Sequence, residues 1–236
     1  MRSEIPPRST GRTQLFGSFL LLLFLSALAG CEHAPAHNRE PAAASFDLGL
    51  IEKRITSYVP DPRYPDDAFV LITVREGLLG GRERNGGIGA CLVQKATGEI
   101  VEQGHNRQYE PYFRSDLHAE MDMLNRYEER VRKTRSRDPK DPTYRNPRTM
   151  EGLVLYTSVE PCPMCLGRII NAGVKEVYYA APDHNGGMAR RFQDLPPAWK
   201  AMARRMVIAP ARCSPELQEI ARDLFRPMFM QGHTRY

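Results

Sequence analysis

Long apolar runs are almost missing from this sequence. The one extended run, Leu15 to Ala29, is broken by Gly17, Ser18 and Ser26 and is too short for a comfortable membrane span. A strong charge of one sign is missing as well. The 33 basic and 28 acidic residues leave a net charge of +5, and removal of residues 1–30 would lower it to +3. So modest a surplus makes a poor case for nucleic-acid binding. There is no internal repeat, and from Cys31 to about Phe46 the Ala/Pro-rich sequence has no hydrophobic period. That composition suits a tether rather than a packed segment. What remains is long enough for one full domain with extras. Its hydrophobic content of 42% and charged content of 26% are ordinary for a globular protein and select no function.

Arg2, Arg8 and Arg12 precede the apolar run, which ends in Leu28-Ala29-Gly30-Cys31. A basic leader followed by a short apolar stretch reads as an export signal. The small residues and the cysteine at its end resemble the lipobox of bacterial lipoproteins, which implies lipidation of Cys31 as the first mature residue. An uncleaved anchor, or a secretory peptide with a chance cysteine, is the alternative. Two or three acyl chains hold a protein to a bilayer far more firmly than one. Glu32 follows the cysteine, which in the enterobacterial sorting pattern favours the outer membrane. The expected location is therefore the cell envelope, lipid-anchored at the outer membrane or the periplasmic face. The chain divides into a signal peptide at 1–30, a flexible tether at 31–47 and a folded domain with a C-terminal helical extension at 48–236.

The remaining four cysteines have different fates. Cys162 and Cys165 form C-x-x-C, whereas Cys91 lies in the apolar run Ile88 to Val93 and reads as a buried, inert thiol. An oxidising compartment permits a Cys91–Cys213 disulfide, but sequence cannot show that the two are close.

Asp66-Asp67 is placed to cap a helix running to about Leu79. Ile88 to Val93 and Glu99 to Glu102 read as strands joined at Ala96-Thr97-Gly98. A helix is expected from about Leu117 to Lys133, with Met121, Leu124 and Tyr127 as a core stripe. Thr134 to Thr149, with its Asp-Pro and Asn-Pro pairs, is a loop. Beyond it come a strand at Leu153 to Thr157, a helix at Met164 to Ala172 stopped by Gly173, and a strand at Glu176 to Ala180. Two further helices are expected at Pro197 to Met206 and Pro215 to Phe225. The order β-β-α-β-α-β implies a three-layer α/β domain with a mixed sheet.

Two segments carry chemistry, Asp116-Leu117-His118-Ala119-Glu120 and Glu160-Pro161-Cys162-Pro163-Met164-Cys165. Cysteines three apart in a helix's first turn share one face. Pro163 suits an opening helical position, since its missing N–H would be unpaired there, and the helix N-terminus favours thiolates. His118 supplies a third ligand from the start of another helix. Three protein ligands leave the fourth position of tetrahedral Zn2+ open for water, the mark of a catalytic site. A structural zinc knuckle with a fourth ligand such as His105 or Cys213 is the alternative. A carboxylate at Glu120, beside such a metal, can take a proton from water and hand it on to a reacting group.

Together the H-x-E and P-C-x-x-C segments resemble the cytidine/deoxycytidylate deaminase superfamily, over roughly Leu71 to Ala181. The resemblance implies a three-layer α/β/α cytidine deaminase-like fold with a mixed sheet, and a zinc-dependent hydrolytic deaminase. It further implies that Glu120 is the catalytic acid/base and not a ligand, and that Asn106, Ala119 and Asp183 contact substrate. Relatives commonly dimerise, so a homodimer is expected. Tyr109, Tyr112 and Phe113 are candidates to pack against a planar ring, with ordinary packing the alternative, and His184 follows the same strand as Asp183.

The residues around C-x-x-C look more like guanine and cytosine deaminases than nucleoside-type cytidine deaminases, and tRNA adenosine deaminases are also similar. Yet Ser115-Asp116-Leu117 stands where the purine branch commonly has Pro-Thr-Ala, and the Thr134 to Thr149 loop is longer than in compact members. Both departures leave the substrate open. The expected substrate is a small amino-heterocycle, a nucleobase or nucleoside. The alternatives are a tRNA-editing enzyme, which an exported protein would not serve, and a non-catalytic zinc-binding lipoprotein.

Overall fold

The computed structural model describes residues 47–134, 138, 140, 150 and 152–226. The segments expected to be a signal peptide and a tether, Cys31 among them, lie almost entirely outside the described residues, as does most of the Thr134 to Thr149 segment expected to be a loop. Residues 47–226 begin with helix α1 (Leu48–Ser57) and α2 (Asp67–Arg82), followed by strands β1 (Gly89–Gln94) and β2 (Ile100–His105). Then come α3 (Ala119–Thr134), β3 (Leu153–Val159), α4 (Pro163–Ala172) and β4 (Glu176–Ala181). A 3₁₀ turn (Ala189–Asp194), α5 (Pro197–Met202), β5 (Val207–Pro210) and α6 (Pro215–Phe225) complete the order.

The five strands form one mixed sheet in the order β2-β1-β3-β4-β5. β1 runs antiparallel to β2 and β3, while β4 and β5 continue parallel to β3. Gly98, at φ 73°, turns the β1–β2 hairpin. Every residue of β3 is buried, because helices cover both faces of the centre of the sheet. Alternate residues sort to the two sides. Cys91, Val93, Val154 and Tyr156 pack with Val70, Val74, Leu217 and Ile220 of α2 and α6. Ala90, Leu92, Leu153 and Leu155 pack with Met123, Leu124 and Ile169 of α3 and α4. The result is the expected three-layer α/β arrangement around a mixed sheet.

Four helices follow the sequence reading closely. Pro163 opens α4, and Gly173 at φ 82° closes it with its N–H bonded back to Ile169 and Ile170. The helix expected over Pro197 to Met206 ends at Met202 and gives way to β5, an edge strand. Asp66 sits at the N-cap position of α2 but makes no capping bond. Its carboxylate instead accepts from the Tyr156 hydroxyl at 3.0 Å and the Arg212 N–H at 2.7 Å, while Asp67 accepts from the Ser214 N–H at 2.7 Å. These buried acids tie α2 to the segment that opens α6. Cys91 and Cys213 are both buried and free, and burial pushes both thiols up, Cys213 to about 12.

Candidate metal centre

The chemistry gathers where the N-terminal ends of α3 and α4 meet. Cys162 is the N-cap of α4 with an extended backbone, Pro163 is its first residue, and Cys165 completes the first turn. His118 stands one residue ahead of α3. Its Nδ1 lies 3.6 Å from Sγ of Cys162 and 3.6 Å from Sγ of Cys165, and the three ligand atoms all fall within 4.8 Å of one another. Zn–S and Zn–N bonds of about 2.3 and 2.0–2.1 Å in a tetrahedron separate sulfur from nitrogen by roughly 3.6 Å. The donor set fits zinc both in chemistry and in spacing, and it is the one such group among the described residues.

The thiols are electrostatically unequal. A hydrogen bond from Cys165, with a further contribution from His118, pulls Cys162 down to about 4. That thiolate, together with burial, pushes Cys165 up. Cys162 is therefore the sulfur that ionises first. Burial lowers the proton affinity of His118, but its contacts with Cys162 outweigh this and raise it.

Glu120, the second residue of α3, is 4% exposed. Burial first, and then the charge on Cys162, raise its pKa above the ordinary carboxylate range. Thr157, wholly buried in β3, donates its hydroxyl to Oε1 of Glu120 at 3.3 Å. Sequence reasoning missed Thr157, and only the alternation of β3 hints at which of its side chains face this site.

Asn106 directly follows β2 and is fully buried. Its backbone N–H donates to Ile88 at 3.0 Å, and its Oδ1 accepts from the backbone N–H of Ala119 at 3.1 Å. Its Nδ2 has no hydrogen-bond partner and is the one buried side-chain polar atom so placed among the described residues. The structure thus brings Asn106, Ala119, His118 and Glu120 into one continuous arrangement with the two cysteines.

Asp183 serves its own loop. Its Oδ1 accepts from the N–H groups of Asn185 and Gly186 at 3.0 and 2.9 Å. The loop is fastened by Glu160, whose side chain is fully buried and accepts from the Asp183 N–H at 3.1 Å and from the Arg190 N–H and Nε at 3.0 Å each. Arg190 also bonds the Asp183 carbonyl and Nδ1 of His184. Nothing in the sequence pairs Glu160 with Arg190, 30 residues away. Tyr112 and Phe113 are largely exposed, and Phe113 tilts against Tyr109 with ring centres 6.1 Å apart. The candidate fourth ligands lie elsewhere: both ring nitrogens of His105 face glutamates, and Cys213 is in the core beneath α2 and α6.

Residues 65–181 match the family model of the cytidine and deoxycytidylate deaminase zinc-binding region, and residues 143–228 match that of the MafB19-like deaminases. The chain is 30% identical over 130 residues to the tRNA-specific adenosine deaminase of Bacillus subtilis (strain 168), an alignment that takes in 55% of this chain and 70% of the relative. It is 49% identical over 45 residues to the guanine deaminase of the same organism, there covering 19% of this chain and 28% of the relative. Among solved structures, a tRNA:A34 deaminase superposes with a TM-score of 0.50 at 25% identity, over 65% of this chain and 98% of that one.

Proposed function

Because this chain belongs to the cytidine and deoxycytidylate deaminase zinc-binding family, we propose that it deaminates a small amino-heterocycle, a guanine- or cytosine-like base or nucleoside, and releases ammonia. It is a hydrolytic deaminase. The observation that carries the catalytic reading is the convergence of a three-atom ligand set, a buried carboxylate and an unpaired buried amide donor at one place.

We assign His118, Cys162 and Cys165 as the zinc ligands and Glu120 as the acid/base. When bound there, zinc supplies the Lewis acidity that makes water nucleophilic at neutral pH. Glu120 takes the proton that water gives up as its oxygen joins the amino-bearing carbon. It passes that proton to the ring nitrogen, then takes the remaining proton from the newly added hydroxyl and gives it to the amino group, so that the carbonyl forms, the C–N bond breaks and NH3 leaves. Its burial keeps the carboxylate from bulk water, and the Thr157 hydroxyl donates to its Oε1. The unpaired Nδ2 of Asn106 offers a hydrogen bond to a ring nitrogen or carbonyl oxygen of the substrate, and Ala119 holds that amide in place.

The Leu28-Ala29-Gly30-Cys31 sequence supports export and a lipid anchor at Cys31, hence a site at the cell envelope. That setting favours a diffusible substrate over tRNA. The test is an ammonia-release screen of purified, zinc-loaded protein against bases, nucleosides, nucleotides, pterins and a tRNA anticodon arm, with chelator-treated protein as control. Zinc-dependent release from a guanine- or cytosine-like compound supports the reading. No release from any small heterocycle, or release from the tRNA arm alone, overturns it.

A further inference from the structure

His105 is the last residue of β2 and the sequence neighbour of Asn106, and it is 7% exposed. Its ring is gripped at both ends. Nδ1 lies 2.7 Å from Oε2 of Glu76 on α2, and Nε2 lies 3.0 Å from Oε2 of Glu83, the C-cap of the same helix. Carboxylates only accept, so both bonds form together when both ring nitrogens carry hydrogen, as in the imidazolium.

The backbone around His105 has no slack. A Cβ on Gly80 of α2 would stand 2.7 Å from the Gly86 carbonyl oxygen and 3.4 Å from Cβ of His105. A Cβ on Gly104 would stand 2.8 Å from Oδ2 of Asp122 and 2.9 Å from the Met123 nitrogen of α3. Helices α2 and α3 therefore close on residues 104–106 from two sides. From there Asn106 reaches the Ala119 N–H, one residue from both His118 and Glu120.

We propose that His105 is a positioning residue for the reaction: clamped between Glu76 and Glu83, it fixes the end of β2 so that Asn106 holds the first turn of α3 and presents its amide to substrate. The substrate half of this rests on the reading of Asn106 given above; the structural half does not.

The charges around the clamp are few. Glu76 and Glu83 face His105 from α2, and Asp122 faces it from α3 with Arg126 at 3.5 Å and Arg107 near by. On β1 the buried Cys91 thiol feels Glu76. Burial alone would lower the proton affinity of His105, but the two carboxylates more than offset it and the net effect is a rise. The grip is therefore complete while the imidazole carries both protons and loosens as pH rises through its raised value.

The experiment is NMR hydrogen exchange on the zinc-loaded protein, comparing wild type with H105Q and E83Q. Glu83 is half-exposed, so E83Q keeps the test decisive even where H105Q folds poorly. Exchange of the Ala119 amide should rise by at least about tenfold in H105Q, as expected for loss of charged, buried hydrogen bonds. It should rise by a smaller factor in E83Q, while Leu155 in the middle of β3 stays protected in both. Unchanged Ala119 exchange in both variants, or an equal rise at Leu155, overturns the proposal. If Ala119 protection depends on His105 but N106D leaves KM untouched on any compound that releases ammonia, the clamp stands and the substrate role of Asn106 fails.

Discussion

The backbone N–H of Ala119 donates to Oδ1 of Asn106 across 3.1 Å, and this bond decides which end of the side-chain amide is left over. A backbone donor needs an acceptor, so the oxygen faces Ala119 and the unpaired group is Nδ2. N106D separates two roles that a larger truncation would confuse. Aspartate keeps the acceptor for Ala119 and loses the donor for substrate. If Asn106 only supports α3, aspartate serves as well and KM holds. With a substrate contact, KM rises by roughly 10- to 100-fold at unchanged zinc content, read from steady-state ammonia release and metal analysis.

The His105 clamp makes stability depend on pH in a definite direction. Its pKa in the folded protein is raised above the ordinary 6.5, so the folded state binds its proton more tightly than the unfolded chain. The stabilisation is fully present below 6.5 and is lost as pH rises through the raised folded value. Denaturant unfolding of wild type and H105Q from pH 6 upward should show a stability difference that shrinks with pH. A difference that is flat or grows would contradict the charged form of His105.

The parts of this molecule legible in sequence are those in which local rules suffice. C-x-x-C around Pro163 fixes a helix opening within four residues, and His118 with Glu120 lie two apart at the start of α3. Gly173 stops α4 by its own backbone freedom. What was not legible depends on distant partners. Helix α1 buries only Ile51 and Ile55 and is fastened to α6 by Arg54 with Glu219 and Asp223. β5 has no alternating pattern and exists through its pairing with β4. Two adjacent acids before an apolar helix read as caps, yet Asp66 serves Tyr156 and Arg212, 90 and 146 residues away. The same holds at the site. Thr157 and the Glu160–Arg190 clamp are ordinary in sequence and acquire their roles through the sheet and its loops.

The proposed anchor is tested apart from the chemistry. C31A should abolish acyl labelling and move the protein out of the membrane pellet, with ammonia release per zinc unchanged. A C31A protein that still sediments with membranes and carries no acyl label would contradict anchoring through Cys31.

The assignment of zinc and Glu120 is tested most directly by E120Q, assayed for zinc and ammonia on the same sample. Gln is close to the same shape but cannot carry a proton between water, ring and leaving group. Zinc bound by His118, Cys162 and Cys165 should stay at one per chain, while turnover of the substrate found in the screen falls by at least about 10²- to 10⁴-fold. Unchanged turnover with zinc in place would contradict the account.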